Sequence, residues 1–163
     1  MTSLRSGVKM VLMKKVLAIL VLGLLWCNTA QALPECEGDD YKKWTNCFGS
    51  YTSEAGRKYT GEFGDAPGIR HGEGISILKG TKFEGTFEND KAVSGKLTYP
   101  SGDSFEGTYN EKGNFEGKGK YTSQDGGYVV GTWVDHKLQG KGSITDPNGN
   151  TRNVTFKDGK IID

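Results

Sequence analysis

A phrase built from glycine and aromatic residues returns through this chain at a nearly fixed interval. Its fullest form is Gly102-Asp103-Ser104-Phe105-Glu106-Gly107-Thr108-Tyr109, with variants at 56–63, 80–87, 126–133 and 149–156. The central position falls at 61, 85, 107, 131 and 154, so the spacings are 24, 22, 24 and 23 residues. A period of this length requires a repeat architecture, in which each unit buries its apolar surface only against its neighbours.

Each unit holds a second phrase, a short run opening with glycine. Examples are Gly49-Ser50-Tyr51-Thr52, Gly74-Ile75-Ser76-Ile77, Gly95-Lys96-Leu97-Thr98-Tyr99, Gly119-Lys120-Tyr121-Thr122 and Gly142-Ser143-Ile144-Thr145. Between the phrases lie Pro100-Ser101-Gly102, Asp125-Gly126-Gly127 and Pro147-Asn148-Gly149, which carry β-turn chemistry. Each unit therefore reads as a β-hairpin. Short polar linkers are expected at 88–94, 110–116 and 134–139. No helical periodicity follows residue 32.

Successive side chains of a strand point to opposite faces. Phe105, Gly107 and Tyr109 thus share one face, as do Tyr59/Gly61/Phe63, Phe83/Gly85/Phe87, Val129/Gly131/Trp133 and Arg152/Val154/Phe156. Tyr51, Leu97, Tyr99, Tyr121 and Ile144 join them. The gap between rings leaves room for a ring from a neighbouring strand to lie over the central glycine. The opposite face carries Glu62, Glu84, Glu106, Thr60, Thr86 and Thr108, with Lys96, Lys118, Lys120 and Lys141 on adjacent strands. Such cross-strand pairs contribute only ~0.2–1 kcal/mol each, so this face reads as solvated.

Charge and cysteine usage bear on compartment. Residues 1–32 hold Arg5, Lys9, Lys14 and Lys15 and no acid, whereas 33–163 keep 17 basic and 20 acidic side chains, net −3. An acidic body argues against a nucleic-acid partner and against strong attraction to anionic lipid. Lys14-Lys15, the apolar run 16–26 and Ala30-Gln31-Ala32 have the form of a secretory signal peptide cleaved after Ala32, with Met13 as an alternative start. Leu25-Trp26 ahead of Cys27 do not suit lipoprotein processing. Export to the periplasm or the extracellular space is expected. Cys36 and Cys47 then remain and are expected to form a disulfide, tying down a lead-in over 33–48 ahead of a repeat domain over 49–163.

Tyr59-Thr60-Gly61-Glu62-Phe63, Arg70-His71-Gly72-Glu73-Gly74, Phe105-Glu106-Gly107-Thr108-Tyr109 and Gly117-Lys118-Gly119 resemble MORN (membrane occupation and recognition nexus) repeats, in an exported bacterial setting. The resemblance covers about 49–162. It implies an all-β fold of tandem β-hairpin repeats in one elongated, twisted antiparallel sheet. It implies modules of protein assembly and, less directly, of phospholipid binding. Val93 replaces the first glycine of one Gly-x-Gly, Tyr128 shifts an aromatic by one place, and Arg152 and Val154 mark a degenerate last unit, as a cap requires. Residues 158–162 are expected to close the edge.

Catalytic machinery is not visible. His71 and His136 are the only histidines, neither beside a nucleophile at motif spacing, and they do not make a metal site by themselves. The Gly-x-Gly runs precede no helix, so they are not phosphate loops. No cofactor and no enzymatic activity are expected. The expected role is a binding or scaffolding surface of the cell envelope for a protein partner, with a phospholipid- or glycan-binding module as the alternative. The candidate docking face is the aromatic comb: Phe83, Phe87, Phe105, Tyr109, Tyr128 and Trp133. Against it stands the reading that these rings only pack on one another.

Overall fold

The computed structural model describes residues 32–162. The signal segment expected over 1–32 lies outside the described residues except for Ala32. Alternating apolar and polar residues between turn sequences give strands and no α-helix among the described residues; one 3-10 turn, Tyr41–Lys43, precedes them. The strands are β1 (Cys47–Thr52), β2 (Lys58–Phe63), β3 (Arg70–Leu78), β4 (Thr81–Glu88), β5 (Lys91–Thr98) and β6 (Ser104–Tyr109). They continue as β7 (Phe115–Thr122), β8 (Tyr128–Val134), β9 (Lys137–Thr145), β10 (Thr151–Lys157) and β11 (Lys160–Ile161). All lie in one antiparallel sheet whose spatial order is the sequence order.

Register explains the glycine period. Gly49 faces Gly61, and the row continues strand by strand through Gly74, Gly85, Gly95, Gly107, Gly119 and Gly131. The backbones meet too closely along this seam for any side chain. A methyl group on Gly85 would stand 2.6 Å from the Gly95 Cα and closer still to the Ser94 carbonyl. On Gly61 it would stand 2.5 Å from the Gly74 Cα.

Rings fill the space above the seam. Tyr59 covers Gly61 on its own strand and Gly74 on the next; Phe105 covers Gly107 and Gly119 in the same way. The expected ring from a neighbouring strand is therefore found at Gly74 and Gly119, and at Gly142 under Phe156. At Gly61 and Gly107 the cover comes from two residues earlier in the same strand.

The presumed linkers are a correction. Residues 88–94 and 134–139 are mostly strand, joined by two-residue turns at Asn89-Asp90 (φ 49° and 67°) and Asp135-His136 (φ 46° and 67°). Both turn residues are left-handed, matching the strand twist. Segment 110–116 is a five-residue loop followed by the start of β7, with Asn110 N–H donating to the Asn114 carbonyl at 2.9 Å.

The Gly-x-Gly runs lie inside β3, β7 and β9 as β-bulges. Between β6 and β7, Gly107 faces Gly119 but Thr108 faces Glu116, so Gly117 and Lys118 are extra. Gly117 sits at φ +68°, where a residue without Cβ is favoured. Equivalent shifts occur between β2 and β3 and between β8 and β9. Val93 replaces the first glycine in β5, and there the shift is smaller.

Both ends of the row are closed locally. Cys36 and Cys47 form a disulfide. Residues 34–36 pair with the outer edge of β1 through Cys36 N–H to the Phe48 carbonyl (2.9 Å) and Phe48 N–H to the Pro34 carbonyl (2.8 Å). Trp44 packs over Gly49, and Tyr41 stacks on Tyr51 at 3.9 Å. At the other end β11 pairs only with Phe156 and Lys157.

Two stability measurements follow. Gly95→Ala should lower stability in urea titration by at least about 2 kcal/mol more than Gly113→Ala, because Gly113 also has positive φ but an added Cβ there meets nothing within 4 Å. Equal losses would refute the close-approach account. Removing the disulfide through Cys36→Ser and Cys47→Ser should cost about 2–3 kcal/mol by the same assay.

Candidate functional site

The aromatic residues at i and i+4 of the even strands form a continuous chain of rings on one face. Trp44 meets Phe63 at 5.2 Å, Phe63 meets Tyr59 at 5.5 Å, and Tyr59 meets Phe87 at 5.4 Å. The chain proceeds through Phe83 (5.0 Å), Tyr109 (5.5 Å) and Phe105 (5.5 Å) to Trp133 (5.4 Å). Every one of these contacts is edge-to-face, worth roughly 0.5–1.5 kcal/mol beyond area burial. Phe115 stacks on Phe105 at 3.7 Å.

This chain is the core. Phe83, Phe87, Phe105, Tyr109 and Trp133 are buried, Phe105 at 0% exposure and Tyr109, the most open of them, at 9%. Rings packed over glycines and edge-on to each other leave almost no surface for a partner. Tyr128 is not with them: it stands half-buried on the opposite face, with the Lys120 Nζ 4.0 Å from its ring centroid. The six rings expected as one docking face are thus split, and five of them form the interior.

Polar groups within the core are satisfied. Tyr59 Oη donates to the Glu62 carbonyl at 2.9 Å. Trp133 Nε1 donates to the Gly119 carbonyl at 3.2 Å, and Trp44 Nε1 donates to the Glu37 and Gly38 carbonyls at 3.0 Å. Arg70 closes the rim: its Nε is 2.9 Å from Asp90 Oδ1, and its guanidinium lies 4.8 Å from the Phe87 ring centroid. His136 accepts from Phe115 N–H through Nδ1 at 3.2 Å, a bond between β7 and the β8–β9 turn. His71 is exposed on β3, far in register from the His136 turn. Asp135 accepts from the side chains of Asn114 and Asn110, which hold its carboxyl below the usual value. These groups act on turns and rim.

The opposite, polar face carries the unexpected surface. Phe48 (44% exposed), Ile75 and Ile77 project from β1 and β3, and Val130 and Val134 from β8. Phe48, Ile75, Thr60, Glu73 and Glu84 line a shallow groove of about 280 Å³. Glu62 faces Phe48 and Glu84 faces Ile75 in register, so these two apolar side chains stand beside carboxylates, whereas Ile77 lies between Lys58 and Lys82. The sequence signal was present in Ile75-Ser76-Ile77, where the small polar Ser76 takes the buried side and both isoleucines point out. The expected lattice of Lys–Glu pairs across strands is sparse. Lys82 pairs with Glu84 of its own strand at 2.8 Å, and Lys96, Lys118, Lys120 and Lys141 enter no ion pair among the described residues.

Burial raises the phenol pKa of Tyr59 and of Tyr109 far above the ordinary 10.0. The folded value lies above the unfolded one. The stabilisation is therefore complete below pH 10 and is lost as pH rises towards the folded value. Alkaline titration by circular dichroism should show unfolding that begins above pH 10. Tyr59→Phe with Tyr109→Phe should start lower in stability by about 0.5–1.5 kcal/mol for the lost Tyr59 hydrogen bond and lose less with rising pH. An identical alkaline profile for the double variant would contradict the assignment.

Comparison with known proteins agrees with the repeat. The family model of the MORN repeat matches at residues 83–104, 105–128 and 130–151, three successive units of the sheet. Such repeats are commonly binding or scaffolding modules. A search of the curated proteins finds no match.

Proposed function

We propose that this protein is a non-enzymatic scaffold of the cell envelope that docks a protein partner on the polar face of its sheet. One observation carries the reading: the aromatic face is consumed as core, whereas Phe48, Ile75 and Ile77 stand exposed together on the other side. Large apolar side chains on an otherwise polar sheet favour a partner that covers them. The carboxylates of Glu62, Glu73 and Glu84 beside Phe48 and Ile75 favour an apolar segment that carries Lys or Arg at that end of the patch, while Ile77 lies between Lys58 and Lys82. Residues 1–32, with their basic start, apolar run and Ala-x-Ala end, support export, and the Cys36–Cys47 disulfide suits an oxidising compartment.

The test is cross-linking capture from envelope extract by the full-length chain, with the partner identified by mass spectrometry. Phe48→Ser with Ile75→Ser should abolish the specific cross-link while lowering the unfolding free energy by no more than about 1 kcal/mol per site, since both side chains are partly exposed. Glu73→Lys should weaken capture by roughly tenfold, and added salt should weaken it for the unaltered chain. Capture indifferent to all of these would place the partner elsewhere and overturn the proposal.

A further inference from the structure

The polar face changes character along the sheet. The middle residue of the bulged run is Glu73 in β3 and Ser94 in β5, but Lys118 in β7 and Lys141 in β9. Lys120 stands beside Lys118 on the same face, and Glu116 is the one acid of β7. Between β8 and β9, Val130 faces Ser143 but Thr132 faces Gln139, so Gly131 lies opposite the bulge without a ladder partner in β9. With Gly131 and Gly142 supplying no side chains, the bulge opens a groove of about 680 Å³.

The chemistry of this groove is specific. Lys118 and Lys141 flank it, and Thr132, Ser143 and Asn153 supply hydroxyl and amide groups. No carboxylate lines it, and neither lysine is ion-paired among the described residues. The two lysines occupy strands one removed from each other, so their strands lie roughly 10 Å apart. Val130, 40% exposed, adds an apolar contact at the groove wall.

We infer that the groove across β7–β10 binds an acidic polysaccharide, a sugar chain bearing a carboxylate on alternate residues. Lys118 and Lys141, on strands roughly 10 Å apart, can each meet a carboxylate of such a chain. The hydroxyl and amide side chains between them can exchange hydrogen bonds with the sugar hydroxyls, and Val130 can meet the C–H face of a ring. A net charge of −3 over 33–163 disfavours a flat anionic bilayer or a nucleic acid, which would face the acidic repeats as well. This site is separate from the apolar patch of β1 and β3, and the inference stands or falls independently of the protein-docking reading.

The experiment is calorimetric titration of the full-length chain with a hyaluronan decasaccharide, an alternating uronic acid and N-acetyl sugar. Dextran, poly-glutamate and phosphatidylglycerol vesicles serve as comparators. Hyaluronan should bind, more weakly as salt is added, and dextran should not. Lys118→Ala with Lys141→Ala should reduce affinity by roughly tenfold or more. Lys118→Arg with Lys141→Arg should retain most of it, and so should Lys58→Ala with Lys82→Ala. Thr132→Val with Ser143→Ala should weaken binding several-fold at unchanged charge, as checked by circular dichroism for intact folding. Absence of hyaluronan binding, equal binding of poly-glutamate or vesicles, or indifference to the Thr132 and Ser143 changes would overturn the inference.

Discussion

The rest of the structure depends on the close approach of backbones along the glycine seam. At Gly61, Gly85 and Gly95 an added methyl would run into the facing strand, so no other residue fits there without moving backbone. The absence of side chains has a second effect. It leaves a trough on one face into which flat rings can settle. A single-layer sheet ordinarily leaves both faces wet and cannot build a core. Here Tyr59 and Phe105 reach near-complete burial without any second layer, because each lies over two glycines and is flanked by rings of the neighbouring units. Burying such a side chain fully is worth about 1.5–3 kcal/mol, and the repeat supplies one or two per hairpin.

The bulges and turns serve that packing. The Gly-x-Gly bulge in β3, β7 and β9 shifts the strand against its predecessor and restores the seam on the other side, where Gly119 again faces Gly131. Arg70 and His136 then fasten a turn to a strand start about twenty residues earlier or later in sequence. The interactions of one unit thus reach only to the next, which is how a stack of repeats distributes its stability.

Much of this was legible in the residues. Period-two alternation with a fixed glycine locates the strands and puts the aromatic rings on one side, and the two cysteines left after the signal segment point to the Cys36–Cys47 disulfide. The turns at Asn89-Asp90 and Asp135-His136 are weakly marked in the sequence because neither contains the glycine that usually signals a two-residue hairpin, and left-handed Asn and Asp carry a weaker signal. The Gly-x-Gly bulge is not marked because register is a property of two strands, whereas the motif lies in one. Aromatic residues on one face fit mutual packing first and a docking surface second. What decides between them is the depth of the trough below Tyr59 and Phe105, and that depth follows from the facing of glycines across strands, which only register reveals.

Separating the two faces has a consequence for binding. The aromatic face admits little variation, since the rings touch one another from unit to unit and Tyr59 and Phe105 also lie over glycines. The polar face has no such obligation. At one and the same place in the bulge the chain uses Glu73, Ser94, Lys118 and Lys141, and each side chain projects away from the core. The charge of the face can therefore be reset unit by unit without disturbing the packing below. An apolar patch at β1–β4 with carboxylates beside Phe48 and Ile75 and a lysine-flanked groove at β7–β10 can coexist on one sheet for this reason. Two chemically opposed surfaces rest on a single repeated core, and each can be altered without the other sensing it.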